Sequence, residues 1–169
     1  MTTLILTVVG SDRPGLVATV ADVVDAHGGN WENSRLAELA GTFAGVIEVS
    51  VPAERVDALR GELSGLDGLL TIAVQPGTAA SEDASPVRLT VHVLGNDRPG
   101  IVREVSGALT AHALTIGSMT SEVRDAAMAG GRLFEATVVA TVPASADPDA
   151  LRATLERIAN DLQVDITIN

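Results

Sequence analysis

The stretch GSDRPGLVATVADVVDAH, residues 10–27, recurs without gaps as GNDRPGIVREVSGALTAH, residues 95–112, with nine of 18 positions identical. No other feature constrains the fold as strongly, because whatever the first copy builds, the second must build too. Further on, TFAGVIEVSVP (42–52) matches LFEATVVATVP (133–143), with six extra residues in the second copy. Between the copies lies QPGTAASEDASP (75–86), rich in Ala, Ser, Pro and Gly, which has the composition of a linker. The chain is therefore read as a first module, residues 1–76, a linker, 77–86, and a second module, 87–169.

Within each copy the hydrophobic period changes in a fixed order. LILTVV (4–9) and VRLTVHVL (87–94) are short, β-branched and apolar, as strands should be. Leu16, Val20, Val24 and His27, with Val23 beside them, then fall on one helical face, matched by Ile101, Val105, Leu109 and His112. HGGN (27–30) ends the first helix with glycines. A second strand is expected at 30–39 and 115–124. The third alternates: Phe43, Gly45, Ile47, Val49 and Val51 form its inward set, and Phe134, Ala136, Val138, Ala140 and Val142 form the equivalent set. A second helical stripe comprises Val56, Leu59, Leu63 and Leu66, repeated by Leu151, Leu155, Ile158 and Leu162. LLTIAV (69–74) and VDITI (164–168) close the copies. The order βαββαβ, twice over, predicts an α+β protein of two ferredoxin-like modules. Such small modules gain burial by packing together, and a pseudo-symmetric pair is expected.

Composition removes several function classes. The chain has 22 acidic and 11 basic residues, for a net charge of −11, and every basic residue is Arg. An acidic surface repels phosphate backbones, so no direct nucleic-acid contact is expected. Without Lys there is neither Schiff-base chemistry nor a Walker-type phosphate loop. Without Cys there are no disulfides, thiolate nucleophiles or Cys-ligated metals. No apolar run approaches the roughly 20 residues of a membrane span. The first residues, MTTLILTVVG, lack a basic region and a cleavage site, so a cytoplasmic protein without a signal peptide is expected.

The repeated turn joins a strand to a helix. Asp12 is expected to cap the helix with its carboxylate, and Pro14 to lie in the first helical turn. Gly15 weakens a helix, and the usual compensation is close approach by a backbone or a ligand. A helix start also presents free N–H groups and a positive dipole end, which suit a carboxylate. A well-capped helix with Gly15 there for packing is the plain alternative.

The frame strand–DRPG–helix–GGN–strand resembles the ACT domain, a small regulatory module that binds amino acids. The resemblance covers both copies. DRPGLVATVADVVDAHGGNWENSRLAEL, residues 12–39, is more narrowly similar to the two-ACT proteins of the glycine cleavage system transcriptional repressor type. In such modules the strand–helix turn offers backbone N–H groups to the ligand carboxylate where two modules pair, and an Asn after the first helix often contacts the ligand. The resemblance thus implies a ligand site at Gly10, Ser11, Asp12, Arg13, Pro14, Gly15, Leu16 and Asn30. In the second copy it implies Asn96, Asp97, Gly100 and Ile101, but Thr115 stands in place of the Asn and the site is expected to be altered. Replacing Gly15 by Val is expected to block binding and leave the fold intact.

His27 and His112 occupy equivalent helix ends and are read as dipole-capping residues. His92 has no metal-ligand spacing around it. Trp31, the only Trp, is read as a core residue. Glu32, Asn33, Ser34 and Arg35 either line a pocket or form a solvated strand face, and Glu82 and Asp83 in the linker are read as solvated. Three functions follow. The first is a non-catalytic sensor that binds a small amino acid and signals to a protein partner, with regulation of glycine metabolism implied by the resemblance. The second is a protein–protein adaptor whose ligand sites are lost. The third, a small hydrolase or isomerase using His and carboxylates, lacks a visible constellation. No cofactor, catalytic residue or metal site is expected, and homodimer formation is left open.

Overall fold

The computed structural model describes residues 1–78, 87–127 and 130–168, the side chains of Leu162 and Ile168 excepted. From residue 79 on, the expected linker, with Glu82 and Asp83, lies outside the described residues. The chain divides into two compact units, Met1–Ser81 and Glu82–Asn169.

The first unit runs β1 (Thr2–Ser11), α1 (Leu16–Ala26), β2 (Asn30–Leu39), β3 (Thr42–Val51), α2 (Val56–Ser64) and β4 (Thr71–Pro76). The second runs β5 (Val87–Asn96), α3 (Ile101–Ala111), β6 (Thr115–Asp125), β7 (Arg132–Val142), α4 (Pro148–Leu162) and β8 (Val164–Ile168). A 3-10 turn at Ala53–Arg55 leads into α2. Each unit forms a four-stranded antiparallel sheet, ordered β2-β3-β1-β4 and β6-β7-β5-β8. This is the ferredoxin-like order expected from βαββαβ, because each helix returns the chain to a strand that is not its sequence neighbour.

The inward set of β3 behaves as its alternation requires: Ile47, Val49 and Val51 are buried, while Val46 is exposed. In β7, Phe134, Ala136, Val138 and Ala140 are buried in the same way. Leu16, Val20, Val23 and Val24 of α1 and Leu59 and Leu63 of α2 close over Leu4, Leu6 and Val8 of β1. The second core repeats this with Ile101, Val105, Leu109, Leu151 and Leu155 over Val91 and Val93. Each fully buried Leu or Val is worth roughly 1.5–3 kcal/mol. Trp31 is half-buried against the first core. The repeat extends to a defect: register shifts between Trp31 and Asn33 and between Ile116 and Ser118 put a bulge at Glu32 and its counterpart Gly117.

Three local expectations are corrected. Asp12 does not cap α1: the helix begins at Leu16, Gly15 holds the capping position, and no side chain caps it. Pro14 accordingly lies in the turn before the helix and not in its first turn. Leu66 and Leu69 fall between α2 and β4, although both pack on the core.

An Asp does cap α4. Asp147 accepts from the Asp149 N–H at 2.9 Å and the Ala150 N–H at 3.5 Å, with Pro148 as the first helical residue. The Pro must follow the cap directly, since its fixed φ starts the helix. In DRPG the Pro is followed by a left-handed Gly, which delays the helix start. Asp147→Ala is expected to lower stability by about 1 kcal/mol, and Asp12→Ala by much less. Urea denaturation of the two variants checks the contrast.

Candidate functional site

The two repeated turns share the conformation of their last glycine. Gly15 has φ 91° and ψ −1°, and Gly100 has φ 89° and ψ −5°. These are left-handed conformations, open to Gly and strained for other residues. The Asp12 N–H donates to the Gly41 carbonyl at 2.9 Å, and the Asp97 N–H to the Arg132 carbonyl at 2.8 Å. The Thr19 N–H donates to the Gly15 carbonyl at 2.9 Å, and the Glu104 N–H to the Gly100 carbonyl at 3.0 Å. Each turn is therefore pinned to its own hairpin tip and its own helix.

Gly15 is required for its φ, not for room. A Cβ placed there would meet nothing within 4 Å. This removes the packing explanation, and it makes Gly15→Val a source of backbone strain and not of crowding. Gly10 is the packed glycine: its Cβ would lie 2.8 Å from the Leu69 carbonyl oxygen and 2.9 Å from Leu70 Cδ2. At the equivalent Gly95, a Cβ would lie 2.5 Å from Val164 Cγ1. Both glycines admit the start of the closing strand against the end of the first.

Ser11, Asp12, Arg13, Pro14 and Gly15 are exposed, and Leu16 is buried. The N–H groups of Leu16, Val17 and Ala18 open the helix, where no intrahelical partner exists, and no side chain caps them. In the second turn Asn96 and Gly100 are exposed, Asp97 is half-buried and Ile101 is buried.

Asn30 does not join the turn within its own module. It pairs with Ser50, and Ser50 pairs with Thr3 at the start of β1. The turn follows Ser11, eight residues along the same strand, or roughly 27 Å at about 3.4 Å per residue. No single amino acid bridges that distance. Asn30 instead belongs to a cluster at the far end of the sheet. There the Glu32 carboxyl is held below the usual carboxylate range, first by the Ser50 hydroxyl and then by the Asn30 side chain. Thr115 begins β6 at the corresponding place.

The second turn is filled by its own side chains. Arg98 donates to both oxygens of Glu104, at 3.0 and 2.7 Å. The Glu104 Oε1 lies 3.7 Å from where a Cβ on Gly100 would sit. Hydrogen bonds from Arg98 hold the Glu104 carboxyl below the ordinary range, and Glu104 in turn raises Arg98. Arg132 Nη1 stands 3.9 Å from Asp97 Oδ2. A lowered carboxyl stabilises the fold above its ordinary titration range and ceases to as pH falls through its folded value. Glu104→Gln is therefore expected to flatten the acid side of the stability profile below roughly pH 4, measured as Tm against pH.

The histidines act structurally. His27 caps α1: its Nδ1–H donates to the Val23 carbonyl at 2.8 Å, and Nε2 stands 3.4 Å from the Glu62 carboxylate of α2. His112 holds the equivalent end of α3. His92 is exposed and meets Thr137 Oγ1 at 3.1 Å. Among the described residues, no group of three His, Asp or Glu could hold a metal ion. No described helix is long and apolar enough to cross a membrane. Glu32, Asn33, Ser34 and Arg35 are exposed on edge strand β2, a solvated face. Asn33, Ser34 and Arg35 border a hollow of about 170 Å³, well below the roughly 300 Å³ at which ligand pockets begin.

The chain thus consists of two ferredoxin-like modules with a conformationally matched glycine in each strand–helix turn. The model of the ACT domain family matches residues 2–75, within the first module. The chain is 27% identical over 168 residues to the glycine cleavage system transcriptional repressor of Escherichia coli K12, covering 98% of this chain and 88% of that protein. The same figures hold for the repressor of Shigella flexneri. A crystal structure of an unknown protein from Galdieria sulphuraria is 26% identical, with a TM-score of 0.87 over 99% of this chain and 97% of that one. The Escherichia coli and Shigella flexneri relatives are regulatory proteins by name, and no catalytic family is indicated.

Proposed function

We propose that this protein is a non-catalytic sensor that binds a small amino acid at the first β–α turn and passes the signal to a protein partner. The observation that carries the reading is the first turn itself, where exposed Asp12 and Arg13 flank the uncapped amides of Leu16, Val17 and Ala18. Likeness to the Escherichia coli repressor extends the reading to transcriptional control of glycine metabolism. With a net charge of −11, that control is exerted by holding another protein and not by touching DNA.

An adaptor without a ligand is the second reading. It is favoured by the exposure of residues 11–15, since small-molecule sites bury most of their ligand. A thermal-shift screen of the whole chain against the amino acids at millimolar concentration separates the two. An amino acid at about a hundred times its Kd adds ~2.7 kcal/mol and raises Tm by roughly 5–10 °C. If none raises Tm, the sensor reading falls and the adaptor reading replaces it.

A further inference from the structure

The two turns differ in spite of their shared motif. The Asp-Arg-Pro-Gly residues are the same in both turns, and so is the conformation of the Gly. What differs is the residue facing each charge. Arg98 meets Glu104, whereas its counterpart Arg13 has Thr19 at that position. Asp97 meets Arg132, whereas Asp12 has Gly41, which pairs with it through the backbone alone. The Thr19 hydroxyl turns away to the Gly15 carbonyl at 3.0 Å. Among the described residues, neither Asp12 nor Arg13 has an ion-pair partner. The space beside Gly15 is open where the second turn holds the Glu104 carboxylate.

We infer that the first turn reads both ends of a free amino acid, Arg13 taking the carboxylate and Asp12 the ammonium, while the second turn is closed by its own Glu104 and Arg132. The inference rests on the sensor reading and adds its chemistry and its stoichiometry. Arg98 and Glu104 show the contact in place: a guanidinium of this turn grips a carboxylate with two parallel hydrogen bonds, the geometry that favours Arg for such anions. The ligand class is a zwitterion. A carboxylate without an ammonium, or an amine without a carboxylate, satisfies only one of the two charges. The chain therefore takes one amino acid at its turns, although it carries the motif twice.

The test is isothermal calorimetry on the full chain with each of the twenty amino acids, and with acetate and glycinamide as single-charge probes. Wild type is expected to bind one amino acid per chain and neither probe comparably. Thr19→Glu supplies the first turn with the carboxylate of the second and is expected to abolish binding. A Glu in the first turn of a helix suits its dipole, so the variant should fold, and circular dichroism checks that it does. Arg13→Gln, at an exposed site, is expected to weaken binding roughly 10- to 100-fold. The double variant Glu104→Thr, Arg132→Gly gives the second turn the open pattern of the first and should raise the stoichiometry to two. Unchanged binding by folded Thr19→Glu or Arg13→Gln, or a stoichiometry of one in the opened variant, overturns the inference while the sensor reading stands. Absence of binding by wild type to any amino acid removes both.

Discussion

Leu59→Ala is expected to destabilise the first module by roughly 2–5 kcal/mol, among the largest effects of any single substitution in it. Leu59 is fully buried near the middle of α2, against a core that includes Leu4, Leu6, Val8 and Val20. Truncation removes the transfer free energy of the side chain and leaves a cavity that the surroundings fill only partly. Few residues can compensate. Aromatics make up 2% of the chain, so this core is packed from medium-sized aliphatic groups, with Phe43 and Trp31 only at its margin. Val102→Ala, at an exposed position on α3, is the matched control and should change stability by less than about 0.5 kcal/mol. Guanidinium denaturation measures both. A loss below about 1 kcal/mol at Leu59 would mean that α2 is not seated on the sheet as described.

The order of elements was legible because the hydrophobic period changes cleanly along each copy. Alternation in 43–51 leaves one arrangement in which a strand buries Ile47, Val49 and Val51 together. The spacing of Leu16, Val20 and Val24 leaves one helical face. Where the sequence misled, a competing local rule prevailed. Asp12 has the chemistry of a helix cap, but capping depends on which residue adopts the last non-helical conformation, and Gly15 adopts it at φ 91°. Asp147 has the same chemistry and does cap, because Pro148 starts the helix directly after it. The second helix stripe reached Leu66 since side chains beyond a helix end can still reach the core.

The site was less legible than the fold. Its residues were found through the repeated turn, but their grouping depends on register, which no motif states. Asn30 follows α1 in the chain, yet β2 begins at the far end of the sheet from Ser11. The pairing of Glu104 with Arg98 was missed for a different reason. Glu104 stands four residues after Gly100, where an acidic residue is ordinary helix composition. The comparison of position 104 with Thr19, and of Arg132 with Gly41, is the signal that could have found it.

Gly15→Val is expected to cost roughly 1–3 kcal/mol of stability, even though the new side chain would touch nothing. The whole penalty is conformational. At φ 91° a Cβ crowds the carbonyl group of the preceding residue, and a β-branched side chain has fewer rotamers with which to escape. Gly107→Ala separates this effect from crowding. That glycine also faces open space, but it lies inside α3 and no positive φ sets it apart, so Ala there should stabilise the helix by roughly 0.5–1 kcal/mol. Two substitutions into empty space are thus expected to move stability in opposite directions, and urea denaturation reads both. The contrast bears on function. Loss of amino-acid binding in Gly15→Val could arise from a distorted turn as readily as from a blocked one, whereas Arg13→Gln alters an exposed side chain and leaves the backbone alone. If Gly15→Val proves as stable as wild type, the turn tolerates a side chain at this φ, and the presence of glycine in both copies then requires a close-approaching ligand or partner to explain it.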